Sequence, residues 1–427
     1  HALGPATLLP EPPHLVIAQP SLPNALDRLA FPHTRAHKSS HIPGPIFLAG
    51  QWREHAIDCY HAGWTASRHH NTRARMNADI TPTSIFADLS RDVIGQDEAL
   101  RGIAVAIYKH LIEHSVGNVL MVGNSGTGKT TIMRAVERYF TGTDGFERYS
   151  TIIRINANLV ADLASRGKQT NIVMDRLAHQ AAAILGEKAD IDTMRDYVSH
   201  GIICVDEVDK IRAQVGGEPN VKGIVAQDSL LTLMENENIQ VELPYFEAGN
   251  WRSVTTPVNT QHILFVAGGA FEELYDQVFQ RVTQKSGADK FYKLVPRADG
   301  SLERRFVFDM ASHLAMEDIF NYGMTPQFLS RFDSIVMLRD FSAPDLVRIF
   351  RDIPGAIWPI AVDYFKHTGI TLSITEEAAF LIADKAARKN RLGARALREV
   401  FGSVVKRLEF DPLASGLVRE QDGQQHT

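Results

Sequence analysis

The sequence predicts an α/β fold: a parallel sheet covered on both faces by helices, followed by a smaller, mostly helical domain. Three observations predict it. Short β-branched runs alternate with helical stretches over residues 81–340, the pattern of strands joined by crossover helices. One such run enters a glycine-rich turn that opens directly into a helix. Beyond Arg339 the pattern changes to helices alone, with one short strand expected over residues 369–373.

Taken in order, the elements begin near Thr81. The run DEALRGIAVAIYKHLIEH places Ala99, Ile103, Ala106, Ile107 and Leu111 at helical spacing. An apolar strand is expected over 118–122 and a helix over 129–139. Further strands are expected over 151–155, 201–205, 262–267 and 334–338. The expected organisation is an extension of low structure over 1–80, a large α/β domain over 81–340 and a small helical domain over 341–427. Residues 1–75 contain no methionine, seven Lys and Arg, four Asp and Glu, and nine of the 17 histidines. Two readings of this stretch stand: a disordered tail, or upstream sequence ahead of a native start at Met76.

Composition excludes several classes. With 427 residues and 44% hydrophobic content there is enough chain for two or three domains with real cores. The longest apolar run, residues 263–271, falls well short of the ~20 residues that span a membrane, so a soluble protein is expected. Two cysteines far apart, Cys59 and Cys204, build neither a disulfide framework nor a cysteine-rich zinc module, and a cytoplasmic location is the natural reading. A balance of 45 basic against 50 acidic residues provides no global field for a polyanion, and nucleic acid is not an expected partner.

The segment GNSGTGKT, Gly123, Asn124, Ser125, Gly126, Thr127, Gly128, Lys129 and Thr130, matches G-x-x-x-x-G-K-[ST] between a strand and a helix. Its glycines allow backbone N–H groups to turn inward around phosphates, and the helix N-terminus adds the positive end of its dipole. Lys129 is expected to reach the β- and γ-phosphates of ATP and Thr130 to ligate Mg²⁺, and Thr131 is expected among the nucleotide-binding residues. Downstream, GIICVDEVDK reads as a buried strand ending in two carboxylates. Asp206 is expected in the Mg²⁺ shell and Glu207 as the group that polarises the attacking water. Cys204 reads as a small buried hydrophobe.

With these motifs in place the chain resembles an AAA+ ATPase, and more narrowly the ClpX-like unfoldases, over roughly residues 86–416. DVIGQDEALRGIAVAIYKH resembles the adenine-contacting segment of that family, which implies that Val93 and Ile94 lie against the base. VDEVDKI, HILFVAGGAF, GMTPQFLSRFD and LGARALREV follow in the family's order. The resemblance implies an arginine finger at Arg331, acting on the neighbouring subunit's nucleotide, and a sensor arginine at Arg395, acting within the chain. It also implies a homo-hexamer and a protein client.

The sequence departs from that family at three places. The axial loop, which carries a gripping aromatic residue in the family, corresponds here to Ala164-Ser165-Arg166-Gly167, with none. Tyr245, Phe246 and Trp251 lie on a segment that faces the ring entrance in the family; they read either as client contacts or as a hydrophobic cluster under a loop. Only Cys59 precedes residue 86, too few for the family's zinc domain, and SGADKFYKLVPRADGSLERRFVF lacks the aliphatic-Gly-Phe tripeptide that docks a ClpP-type peptidase. The expected function is therefore an ATP-hydrolysing ring that remodels a specific protein or complex without that peptidase. The alternatives are a nucleotide-switched assembly scaffold and a DNA-associated ATPase.

Overall fold

The structure, a computed structural model, describes residues 80–114, 117–164, 171–235, 237–296, 301–306, 308, 310–353, 355–389, 392–411, 419–421 and 424–426. All of them belong to one compact unit, residues 68–427. The expected extension over 1–80 lies outside the described residues except for Ile80.

Five strands form one parallel sheet: β1 (Val119–Val122), β2 (Ile152–Asn156), β3 (Ile202–Asp206), β8 (Leu264–Gly269) and β11 (Ser334–Met337). Their order is β11-β1-β8-β3-β2. All five were legible as apolar runs because a parallel sheet is buried on both faces. The alternation is internal: Leu120, Val122, Ile203, Val205, Phe265 and Ala267 enter one core, whereas Val119, Met121, Ile202, Cys204, Leu264 and Val266 enter the other. The second core is closed by α1 (Pro82–Leu89), α2 (Asp97–Leu111) and α3 (Lys129–Thr141). The first is covered by α4 (Ala157–Ala164), α5 (Asn171–Leu185), α6 (Ile191–Ser199), α7 (Val221–Leu233) and α8 (Glu272–Ser286).

Local chemistry starts these helices. Thr81 and Ser84 form a reciprocal capping box ahead of Pro82 at the first turn of α1. Asp190 caps α6 through the backbone N–H groups of Asp192 and Thr193. Asp97 and Glu98 begin α2 and Lys109 and His110 end it, which suits the helix dipole.

Short ladders decorate this frame. β4 (Gln214–Val215) pairs with β5 (Glu218–Pro219), and β6 (Asn238–Glu247) pairs with β7 (Asn250–Asn259) as a long antiparallel hairpin. Ala248 and Gly249, both at positive φ, make its two-residue turn. β9 (Tyr292–Pro296) and β10 (Leu302–Phe306) form a second hairpin. Neither long hairpin was expected from sequence.

After α9 (Met316–Tyr322), α10 (Pro326–Leu329) and β11, the C-terminal part holds a separate core. It gathers Phe341, Leu346, Phe350, Phe365, Leu397 and Phe401 between α11 (Ala343–Arg351), α12 (Ile357–His367), α13 (Glu376–Ala387) and α14 (Arg395–Phe410). The short strand expected there is β12 (Ile370–Thr371), which pairs in parallel with β14 (Gln424–His426), itself antiparallel to β13 (Arg419–Gln421).

Candidate active site

In a parallel sheet the carboxyl ends of the strands and the helix N-termini that follow them share one edge, and there ligands bind. Here β1 delivers the glycine-rich loop to that edge and β3 delivers Asp206 and Glu207. A cleft of about 740 Å³ opens between this edge and the C-terminal helices.

The loop owes its shape to two left-handed glycines, Gly126 at φ +76° and Gly128 at φ +101°. Behind it, Thr127 Oγ1 donates to the Asn124 carbonyl at 2.8 Å, and Asn124 Nδ2 donates to both oxygens of Asp340 at 3.0 and 3.1 Å. Gly123 is packed so closely that a Cβ there would lie 2.7 Å from Leu338. Gln96 ties the arrangement together: its Nε2 donates to the carbonyls of Thr127 and Arg339, and its Oε1 accepts from the Arg339 N–H. Gly123, Asn124 and Thr127 thus stand behind the cleft wall. Ser125, Gly126, Gly128, Lys129, Thr130 and Thr131 line it.

Lys129 is buried, and its ammonium donates to the carbonyls of Gly123 at 2.6 Å and Asn124 at 2.9 Å. Burial pulls its pKa from 10.5 down to about 8, against the opposing pull of Asp209 and Asp206. Thr130 Oγ1 donates to Asp206 Oδ2 at 2.9 Å, which juxtaposes two hard oxygen ligands of the kind Mg²⁺ takes. Glu207 stands beside them in a left-handed conformation, φ +58°, uncommon for a residue with a Cβ. Its Oε2 accepts from Asn156 Nδ2 at 2.7 Å, while Oε1 has no partner among the described residues. Asn156 pairs in register with Asp206 on the adjacent strand, so the sheet itself sets this contact.

The other wall comes from the C-terminal helices. Arg395 Nη1 donates to Ser125 Oγ at 2.6 Å, and the Ala394 N–H donates to the Gly126 carbonyl at 3.0 Å. Val93, Ile94, Ile349, Ile353 and Ile357 give the cleft an apolar lining of the kind a base can occupy. Arg134, Lys210 and Arg398 complete the basic lining.

Of the residues singled out from sequence, the structure gathers Val93, Ile94, Ser125, Gly126, Gly128, Lys129, Thr130, Thr131, Asp206, Glu207 and Arg395 around this cleft. It does not bring Arg331 there. Arg331 is half-buried in an ion pair with Glu235, Nη2 to Oε1 at 3.0 Å. Ser165, Arg166 and Gly167 lie outside the described residues, and Ala164 ends α4. Tyr245, Phe246 and Trp251 lie toward the turn of the β6–β7 hairpin, where Phe246 and Trp251 meet edge to face and Trp251 is half exposed. Sequence reasoning missed Asn156, the isoleucines of the apolar lining, Arg134 and Arg398. A polar residue ending the strand before β3 was the available signal for Asn156. Cys204 is buried, and its thiol is pushed up to about 12, as for an inert core residue.

Comparison with known proteins agrees with this geometry. The family model for the AAA domain (Cdc48 subfamily) matches residues 114–335, just over half of the chain. Among curated relatives, the ATP-dependent Clp protease ATP-binding subunit ClpX of Azotobacter vinelandii is 28% identical over 373 residues, covering 80% of this chain and 78% of the relative. The proteins of the same name from Bacteroides fragilis (strain YCH46) and Borrelia duttonii are 26% and 25% identical, over 80% of this chain and 79% and 76% of theirs.

Proposed function

From the premise that the chain belongs to the AAA domain family (Cdc48 subfamily) and is a ClpX-like AAA+ ATPase, we propose that it remodels a specific protein client as a Mg²⁺-dependent homo-hexameric ring. The observation that carries this reading is the convergence of Lys129, the Thr130–Asp206 pair, Glu207 and Arg395 on one cleft shared by the two parts of the chain.

In this reading the ammonium of Lys129 exchanges its loop carbonyls for β- and γ-phosphate oxygens. Thr130 and Asp206 would hold Mg²⁺, which would supply positive charge to offset that of the phosphates. Asn156 holds Glu207 by one oxygen and leaves Oε1 to accept a hydrogen bond from the attacking water and orient it. Arg395 turns from Ser125 to the phosphates, and Arg331 serves the neighbouring subunit's site. Val93 and Ile94 take the base. The tip of the β6–β7 hairpin and the segment around Arg166 contact the client. The Phe291–Phe308 region carries a hairpin and no docking tripeptide, which supports work without a ClpP-type peptidase.

Glu207→Gln tests the reading. It is expected to lower ATP turnover about 10²-fold or more while nucleotide binding persists, and to retain the client in a pulldown with ATP. Turnover indifferent to this substitution would end the hydrolytic assignment. A retained partner that is released unaltered by the wild type would favour the scaffold alternative.

A further inference from the structure

Three residues of α3 lie at i, i+4 and i+8: Thr130, Arg134 and Arg138. They lie along one slowly drifting stripe of the helix, of which Thr130 and Arg134 line the cleft. Its two ends are identified by their contacts. Thr130 bonds Asp206 at the phosphate end. Arg138 bonds Asp92, the residue next to Val93 and Ile94. Arg134 therefore stands midway between Thr130 and Arg138 along the helix. Helical side chains lean toward the N-terminus, which from Arg134 is the direction of Thr130 and Thr131.

The opposite wall repeats the arrangement. Arg398 follows Arg395 by three residues on α14, so it shares that residue's face, and it lines the same cleft. Arg395 is engaged with Ser125, whereas Arg134 and Arg398 have no hydrogen-bond or ion-pair partner among the described residues. A guanidinium without a partner among the described residues thus lines each wall, one helical turn beyond Thr130 on α3 and one turn beyond Arg395 on α14, where an anionic group can lie between them.

The geometry points to Arg134 and Arg398 as a two-walled grip on the α-phosphate of the bound nucleotide, one cation from each part of the chain. This rests on the ATP-binding reading above and adds to it the residues that hold the phosphate nearest the ribose. Because the two cations come from different walls, the grip also draws the C-terminal helices toward α3 whenever a nucleotide is present.

The test uses the full chain with a fluorescent ribose-labelled ADP, displaced by ADP, ATP or adenosine. Arg134→Ala and Arg398→Ala are each expected to weaken ADP and ATP by a similar factor, about fivefold to tenfold, while adenosine competes as in the wild type. Arg134→Lys is expected to recover most of the loss, since a point charge still meets an α-phosphate oxygen. Steady-state turnover should show the loss in KM more than in kcat. Unchanged ADP and ATP affinity in both variants would overturn the inference, as would an equal loss for adenosine, which carries no phosphate. Lys129→Ala separates this outcome from the underlying reading: if it abolishes ADP binding while the arginine variants do nothing, only the α-phosphate grip fails. If the wild type binds no ADP, the ATP-binding reading fails first.

Discussion

Lys129 shows how burial sets the working range of a single charge. Its pKa of about 8 in the free site means that part of the population loses the ammonium just above neutrality. Phosphate oxygens favour the protonated form, so the bound pKa lies higher. Nucleotide affinity is then expected to be flat below pH 8 and to fall above it, approaching tenfold per pH unit, as titration calorimetry from pH 6.5 to 9.5 would read. Lys129→Arg, which cannot deprotonate in that range, should lose the dependence whatever its absolute affinity. His110 provides the opposite case, remote from the cleft. It is fully buried with neither ring nitrogen hydrogen-bonded among the described residues, packed against Phe140 and Tyr149, and its pKa is lowered from 6.5 to about 3, chiefly by burial. Below pH 6.5 the unfolded chain takes up a proton that the folded chain refuses until pH 3. Stability is therefore lost as pH falls through this window, by about 2 kcal/mol at pH 5. His110→Phe, which fits the same aromatic surroundings, is expected to flatten the acid limb of a melting-temperature profile.

At the scale of elements, the contact between the phosphate loop and the turn before α14 is backbone against backbone. Gly393 sits at φ +51°, and a Cβ there would lie 2.5 Å from the Gly126 carbonyl oxygen. Gly393→Ala must therefore part the two elements or strain the turn. It is expected to break the Ala394-to-Gly126 bond and the Arg395 contact, lowering turnover about tenfold or more through loss of a positioned guanidinium. Gly402, on α14 with nothing near its Cβ position, is the matched control: Gly402→Ala should keep turnover and gain about 1 kcal/mol of helix stability. Equal turnover in the two variants would remove the clasp from the argument. The β6–β7 hairpin shows why such elements escaped sequence reading. Its strands alternate only partly, with Val241, Leu243, Thr256 and Val258 buried and the rest of the ladder at or near the surface. Pro244 and Pro257 argue against a strand by composition. Cross-strand pairing supplies what local propensity does not.

At the scale of the whole molecule, the position of Arg331 makes a quaternary prediction. It lies outside the chain's own cleft and is paired with Glu235, so a role at phosphate requires another subunit's site. Arg331→Ala and Lys129→Ala chains should each be nearly inactive alone. Mixed in equal amounts under ring-forming conditions, about a quarter of the interfaces pair a competent site with a competent finger, and turnover should partly return. No recovery on mixing, with subunit exchange verified, would refute action across subunits. The fold's main strands and the phosphate and acidic motifs were legible because each is a local pattern: a doubly buried strand reads as an uninterrupted apolar run, and a phosphate loop needs glycines and a lysine at fixed spacing. The cleft's second wall was less legible. Ile349, Ile353, Ile357 and Arg398 are ordinary residues of amphipathic helices until the fold turns them toward Val93 and Arg134.

The sequence by itself determined the sheet, the glycine-rich loop with Lys129 and Thr130, and the acidic pair Asp206 and Glu207, because short-range spacing and backbone chemistry suffice to specify them. Only the tertiary structure decided that Asn156 holds Glu207, that Gly126 and Gly393 meet, and that Arg134 faces the same cleft as Arg398. Those relations join residues 51, 267 and 264 positions apart, and no local pattern encodes them. They follow from strand register and from the packing of the C-terminal helices over the sheet's edge.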